Sequence, residues 1–187
     1  ALGCAAVTGA VGTGLEVVWS RILGILTSNS AYGFALLLTV LLLGLSAGSL
    51  LQAWWSRRPG DSWRRLALCQ WLLAGVTLAG APFFHTPPDW FVRCCAADSA
   101  GRVFLAELAL TAGALLVPAV FMGMTLPLVV ATAATRRSRW AHDLGRVYAL
   151  NTLGAVAGPF LAGFVLIPRL GIRAALAALV AGPLLVA

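Results

Sequence analysis

Few residues in this chain are of a type that does chemistry. It holds six acids, two histidines and four cysteines among 187 residues, and no lysine. His85 and His142 are far apart in sequence, Cys94 and Cys95 are adjacent, and Cys4 and Cys69 stand alone. None of these has the close, repeated spacing of metal ligands. No serine or cysteine is accompanied by a histidine and an orienting acid in a recognisable triad pattern. The expected catalytic, cofactor-binding and metal-ligating sets are therefore empty. What stands out is charge embedded in apolar sequence: Glu16, Arg21 and Glu107. A second, uncharged or edge-located polar set comprises Gln52, Gln70, Arg146, Tyr148 and Asn151.

The elements that must position these residues follow from composition. Sixty per cent of the chain is hydrophobic and 10% charged, with a mean hydropathy of +0.93. Soluble domains carry about 25% charged residues and disordered chains are poor in apolar ones, so both classes are excluded. The net charge of +7 comes entirely from arginine. Several arginines sit between apolar runs instead of forming one basic face, which argues against a nucleic-acid surface. The fold class expected is all-α: a polytopic membrane protein whose principal partner is the lipid bilayer.

About 20 apolar residues cross the hydrocarbon, and six spans are expected, at about 2–27, 32–55, 66–84, 103–135, 146–167 and 172–187. The fourth is longer than a bilayer needs, so Pro118, Gly123 and Pro127 are expected to bend or divide it. Arg57, Arg58, Arg64 and Arg65 occupy one connection, and Arg136, Arg137, Arg139 and Arg146 another. Basic connections are retained in the cytoplasm. Both ends of the chain are therefore expected inside, with Trp54, Trp55, Trp63 and Trp140 at the inner boundary and Trp90 at the outer. His85 and His142 then fall on opposite sides and cannot share a haem. The expected location is a membrane crossed several times, with the Arg-rich connections in the cytoplasm. Ala1 and Ala187 both lie within apolar sequence, as in a processed or truncated chain.

Helices in lipid associate through small residues that let backbones approach. Gly44 and Gly48 in the second span, and Gly154, Gly158 and Gly163 in the fifth, are the expected packing positions, with Gly9, Gly12 and Gly14 serving likewise in the first. No strand precedes those first-span glycines, which argues against a phosphate-binding loop. Glu16 and Arg21 are five residues apart, roughly 140° around a helix, and do not share a face. Arg21 and Glu107 lie at similar depths below the outer surface, so an Arg21–Glu107 bridge is expected. It leaves Glu16 deeper, protonated or linked to water. For Gln52, Gln70, Arg146, Tyr148 and Asn151 two readings stand: hydrogen bonds between helices, or the lining of a shallow cavity open to the cytoplasm.

Gly48-Ser-Leu-Leu-Gln52, followed by Arg57-Arg58-Pro-Gly60-Asp61 and Arg64-Arg65, is similar to the signature between the second and third helices of the major facilitator superfamily, although Asp61 here follows the basic pair. Gly154 to Gly163, with Gly158-Pro159, resembles that superfamily's fifth helix. Six helices would make half of such a fold. More extensively, the chain resembles the membrane domain of bacterial spermidine synthase-like proteins, the fused facilitator/spermidine synthases. The blocks are Glu16-Val-Val-Trp19-Ser-Arg21-Ile-Leu, Ser30-Ala-Tyr32-Gly-Phe34, Leu42-Leu-Gly44-Leu-Ser-Ala-Gly48-Ser49, Met122-Gly-Met-Thr-Leu-Pro127, Gly145-Arg146-Val-Tyr148-Ala-Leu-Asn151-Thr-Leu-Gly154-Ala and Gly163-Phe-Val-Leu-Ile-Pro168-Arg-Leu-Gly171.

The resemblance implies a cytoplasmic polyamine aminopropyltransferase-like domain following the helices. That domain would supply the chemistry, since the 187 residues contain neither a strand–glycine loop nor an acidic polyamine pocket. The functional expectation is an anchor or scaffold for that domain or a partner, presenting a small cationic substrate. Two alternatives are a non-catalytic accessory subunit of a larger membrane complex and a facilitator-like half-transporter. Other membrane subunits or further copies of the chain are the expected protein partners.

Overall fold

The structure, a computed structural model, describes residues 2–26, 31–80, 89–95, 100–133 and 140–186. Among them helix is the only regular secondary structure: α1 (Leu2–Leu26), α2 (Ala31–Trp55), α3 (Ser62–Gly80), α4 (Asp89–Cys95), α5 (Ala100–Ala133), α6 (Trp140–Phe160), a π-helical segment (Leu161–Leu166) and α7 (Ile167–Val186). In lipid this is the expected solution, because a helix satisfies its own backbone polar groups. Four helical runs are long and apolar enough to cross a membrane: Leu2–Ile25, Ala31–Trp55, Ala100–Ala133 and Ala141–Gly182. Their outer faces carry Leu42, Leu43 and Leu50 on α2 and Leu153, Val156 and Phe160 on α6, all exposed. Contiguous apolar surface of this kind is foreign to water-soluble monomers.

Three expected boundaries move. The third span becomes α3, which starts at Ser62 and admits Arg64, Arg65 and Gln70, so it falls short of a membrane span by composition. Its early start has a local cause. Asp61 accepts the Trp63 backbone N–H at 3.0 Å, capping the helix, while Arg65 folds back to donate to the Arg58 carbonyl. Residues 81–84 of that expected span lie outside the described residues. The fourth span is α5, a single helix of 34 residues that runs undivided through Pro118 and Pro127. The fifth and sixth join in one helical run of 42 residues. At 1.5 Å per residue that is about 63 Å, twice the hydrocarbon thickness.

The contacts show how that run is accommodated. Gly154 of α6 meets Ala6, and Gly158 meets Ala10, so α6 runs parallel to α1. In α7, Leu179 lies against Gly14 while Gly182 lies against Val11 and Val7, so α7 runs antiparallel to α1. The direction reverses at Gly171, whose φ of 78° and ψ of 168° are not helical. Positive φ is open to glycine and strained for other residues. Two helical segments of opposite direction therefore pack along α1, and the break between them is at one residue, Gly171.

A second parallel pair is α2 and α5: Gly44 meets Leu116 and Ala119, Gly48 meets Val120 and Gly123, and Gly123 meets Leu45. Residues 27–30 reach at most about 14 Å extended. The packed helices α1 and α2 are therefore antiparallel, and α5 opposes α1. α3 packs on α5 and α7, and α4 on α5. The core between them is built from Leu15, Trp19, Leu37, Leu110 and Leu115, with a smaller cluster around Leu66, Cys69, Leu128 and Val147 towards the other end.

A side chain at Gly48 would run into the Val120 carbonyl, whereas Gly75 faces open space. Gly48→Leu is expected to destabilise the fold by about 1–3 kcal/mol or more, as overpacking does, and Gly75→Leu to leave it nearly unchanged. Thermal unfolding of both variants in detergent, read by tryptophan fluorescence, checks this.

Candidate functional site

The parallel pairs leave a cavity of about 230 Å³ where α1, α2, α3, α5 and α6 converge. Its polar lining comprises Thr8, Thr13, Glu16, Gln70, Thr125 and Asn151, with Leu41, Leu45, Leu73 and Met122 among the apolar walls. Glu16 is the only charged residue of the lining. Counted along their helices at 1.5 Å per residue, Gln70, Thr125, Asn151 and Glu16 lie roughly 12–21 Å from the ends nearest the Arg-rich turn at 57–65. That is the middle of a hydrocarbon core about 30 Å thick.

Each wall has a local reason. Thr8, Gly12 and Glu16 follow at intervals of four, which stacks them on one face of α1. Gly12 keeps that face open, with the Met122 methyl as its nearest neighbour across the cavity. On the adjoining face, the Thr13 hydroxyl lies 3.0 Å from both the Gly9 and Ala155 carbonyls, tying α1 to α6. Gly9 sits against the Asn151 backbone, which brings the Asn151 amide to the cavity edge. Below Gln70, the Cys69 thiol donates to the Phe121 carbonyl at 3.3 Å, and the Thr125 hydroxyl donates to the same oxygen at 2.9 Å. These bonds hold α3 to α5 and fix the floor. Gln70 itself is 1% exposed, and its Oε1 has no hydrogen-bond partner among the described residues. A buried amide oxygen left unpaired costs about 1–3 kcal/mol, so a donor placed in this cavity is favoured.

The structure sorts the polar residues singled out from the sequence into different places. Glu16, Gln70 and Asn151 come together at the cavity. Gln52 is buried one helical turn from the end of α2, where its amide nitrogen donates to the Ser56 hydroxyl at 2.7 Å and its Oε1 is unpartnered. Arg146 and Tyr148 are exposed on the outer side of α6, so they belong neither to this cavity nor to a cytoplasmic polar cluster with Gln70. Arg21 is exposed and lines a separate groove against α2, the π segment and α7. Glu107 is half-buried on α5. The expected Arg21–Glu107 bridge is not formed: neither residue has an ion-pair partner among the described residues. Similar depth was not enough, because Arg21 lines the groove beside α2, the π segment and α7, to which α5 contributes no residue.

Gly44, Gly48, Gly154 and Gly158 sit at backbone contacts, whereas Gly163 has only ordinary contact with Val17, at 3.7 Å. Trp54 and Trp63 are exposed beside the 57–65 turn, with the Arg58 guanidinium 4.6 Å above the Trp54 ring and that of Arg65 5.4 Å above Trp55. Arg136, Arg137, Arg139 and His85 lie outside the described residues, as do the side chains of Trp90, Cys94, Cys95 and Trp140. Sequence reading missed Thr8, Thr13 and Thr125. The four-residue rhythm of Thr8, Gly12 and Glu16 was the signal available for the first.

No group of three or more His, Cys, Asp or Glu among the described residues is arranged to hold a metal. No family model matches the chain, and neither does any curated protein or solved structure with which it was compared.

Two substitutions test the geometry. Thr13→Val removes a hydrogen bond between α1 and α6 and should cost about 0.6 kcal/mol, the average for such bonds within membranes. Gln70→Met removes an unpartnered buried amide at similar volume, and should be neutral or stabilising. Reversible unfolding in mixed micelles measures both.

Proposed function

We propose that this chain is the membrane domain of a spermidine synthase-like protein, with six spans arranged as half of a facilitator fold, and that its central cavity binds a small protonated amine. The observation that carries the binding reading is Glu16, the only charge in a mid-depth cavity whose remaining polar groups are neutral. A carboxylate held in lipid demands a partner cation or proton. The uncharged donors and acceptors around it, Thr8, Gln70 and Asn151, suit an ammonium group and a short polar chain. The volume lies below the roughly 300–1,000 Å³ of pockets for drug-sized ligands, which restricts the ligand to a few heavy atoms.

The arrangement of contacts supports the half-facilitator reading. Exchanging α1 with α5, α2 with α6 and α3 with α7 turns the α1–α6 contact into α5–α2 and the α1–α7 contact into α5–α3, all of which occur. α1 and α5 run in opposite directions. This is the pattern of an inverted three-helix repeat, in which solutes bind near the midplane. On this reading the Arg-rich turn at 57–65 faces the cytoplasm of a bacterial cell, both ends of the chain lie on that side, and aminopropyl transfer belongs to a domain outside these 187 residues. Further copies of the chain or other membrane subunits would cover its outer faces.

A scaffold without a ligand is the second reading, favoured by the exposed apolar row Leu153, Val156 and Phe160 on α6. Calorimetric titration of the chain in lipid nanodiscs with putrescine separates the two. Binding that falls at least tenfold in Glu16→Gln, about 1.4 kcal/mol, and is unchanged in Glu107→Gln supports the cavity. Absence of binding to the unmodified chain leaves the scaffold. For topology, Arg57→Cys in a chain whose four native cysteines are replaced by alanine should react with an impermeant maleimide only in inside-out vesicles.

A further inference from the structure

Arg21 has no place in the cavity reading, and its surroundings explain why it is tolerated. It lines a groove of about 850 Å³ formed by Val17, Ser20, Gly24 and Ile25 of α1, Phe34 of α2, Gly163 and Phe164 of the π segment, and Ile172 of α7. The groove opens outwards: Ile25 is 72% exposed, Phe164 73% and Phe34 55%. Its floor is shallow because Ser20, Gly24 and Gly163 are small. No acid lines it, and the charged residues flanking Ile172 in sequence, Arg169 and Arg173, are also basic. Among the described residues no ion pair satisfies the Arg21 guanidinium.

An exposed arginine within a span needs an anion or water. Depth selects which. Arg21 lies five residues before the end of α1, about 7.5 Å along the axis at 1.5 Å per residue. Its flexible stem lets the charged head reach the membrane boundary on that side while the methylenes stay in hydrocarbon. Phe34 lies about 4.5 Å below the start of α2 on the same side. A cation at the boundary, above an open apolar channel with small residues at its base, matches one molecule: a phospholipid with its phosphate at the guanidinium and an acyl chain in the groove. Arginine binds a phosphate through parallel N–H donors.

We propose that the Arg21 groove is a phospholipid site, holding the phosphate of a lipid from the leaflet on the C-terminal side of α1. A protein carboxylate from another copy of the chain is the rival occupant. Depth disfavours it, because a packed helix would bury Phe34 and Phe164 and place its acid among their rings, away from the boundary.

Native mass spectrometry of the chain released from micelles containing phosphatidylglycerol provides the test. The unmodified chain should retain one phospholipid, Arg21→Gln should lose at least four-fifths of that occupancy, and Arg21→Lys should recover a substantial part of it. A galactosyl diacylglycerol of the same chains, which lacks phosphate, should not compete. Glu16→Gln, within the cavity, should leave lipid retention unchanged, which separates this site from the amine-binding reading. Equal retention by Arg21→Gln, or competition by the phosphate-free lipid, would overturn the proposal. So would a disulfide-linked dimer formed in membranes by Arg21→Cys in a chain whose four native cysteines are replaced by alanine. Should Arg21→Gln fail to fold, the competition measured on the unmodified chain still decides.

Discussion

Backbone-to-backbone approach between parallel helices is the contact on which the rest of this structure depends. At Gly48 on Val120, and at Gly154 and Gly158 on Ala6 and Ala10, two helices meet with no side chain between them. Lipid tails are as apolar as leucine, so burial of leucines supplies little drive for helix association in a membrane. Close approach supplies dispersion and short dipolar contacts instead, and it works only where the Cβ is absent. The α1–α6 and α2–α5 pairs are consequently fixed in register to within a residue, and the cavity forms where the side chains resume.

That register gives the polar residues their meaning. The interval between Glu16 and Arg21 carries them to different faces of α1, one towards the interior shared by five helices and one towards the groove beside the π segment. A charge turned inwards meets neutral hydroxyls and amides and becomes a binding determinant. The same kind of group turned outwards meets the bilayer, and its depth decides what it pairs with. The two sites are on one helix but draw on separate neighbours, so a change at either need not disturb the other. Gly171 has a comparable leverage over the chain's course: one residue with positive φ lets a long helical run reverse and return along α1.

Much of this was legible in the residues alone. Membrane residence follows from hydropathy, and the helical class from the backbone's need to satisfy itself in lipid. Glycines four apart mark where helices approach closely, because no other common residue function explains that spacing inside an apolar run. The angle between Glu16 and Arg21 is a property of the helix itself. Each of these is local or compositional, and so is written in the order of the amino acids.

Pairing is not local, and there the tertiary structure decided. Depth matched Arg21 with Glu107, but azimuth separated them, and azimuth depends on which helices neighbour α1. Gln70 and Asn151 look like members of a cytoplasmic polar group with Arg146 and Tyr148. Only the convergence of five helices takes the first two inwards and leaves the others outside. Helix ends shifted for a nearer reason: Asp61 caps α3 early, and Arg65 reaches back to Arg58 across the same short turn. The sequence determined that these helices belong in lipid and where their smooth faces lie. Which faces meet, and hence which polar groups share a cavity, was set by packing between segments far apart in the chain, a constraint that no single segment contains.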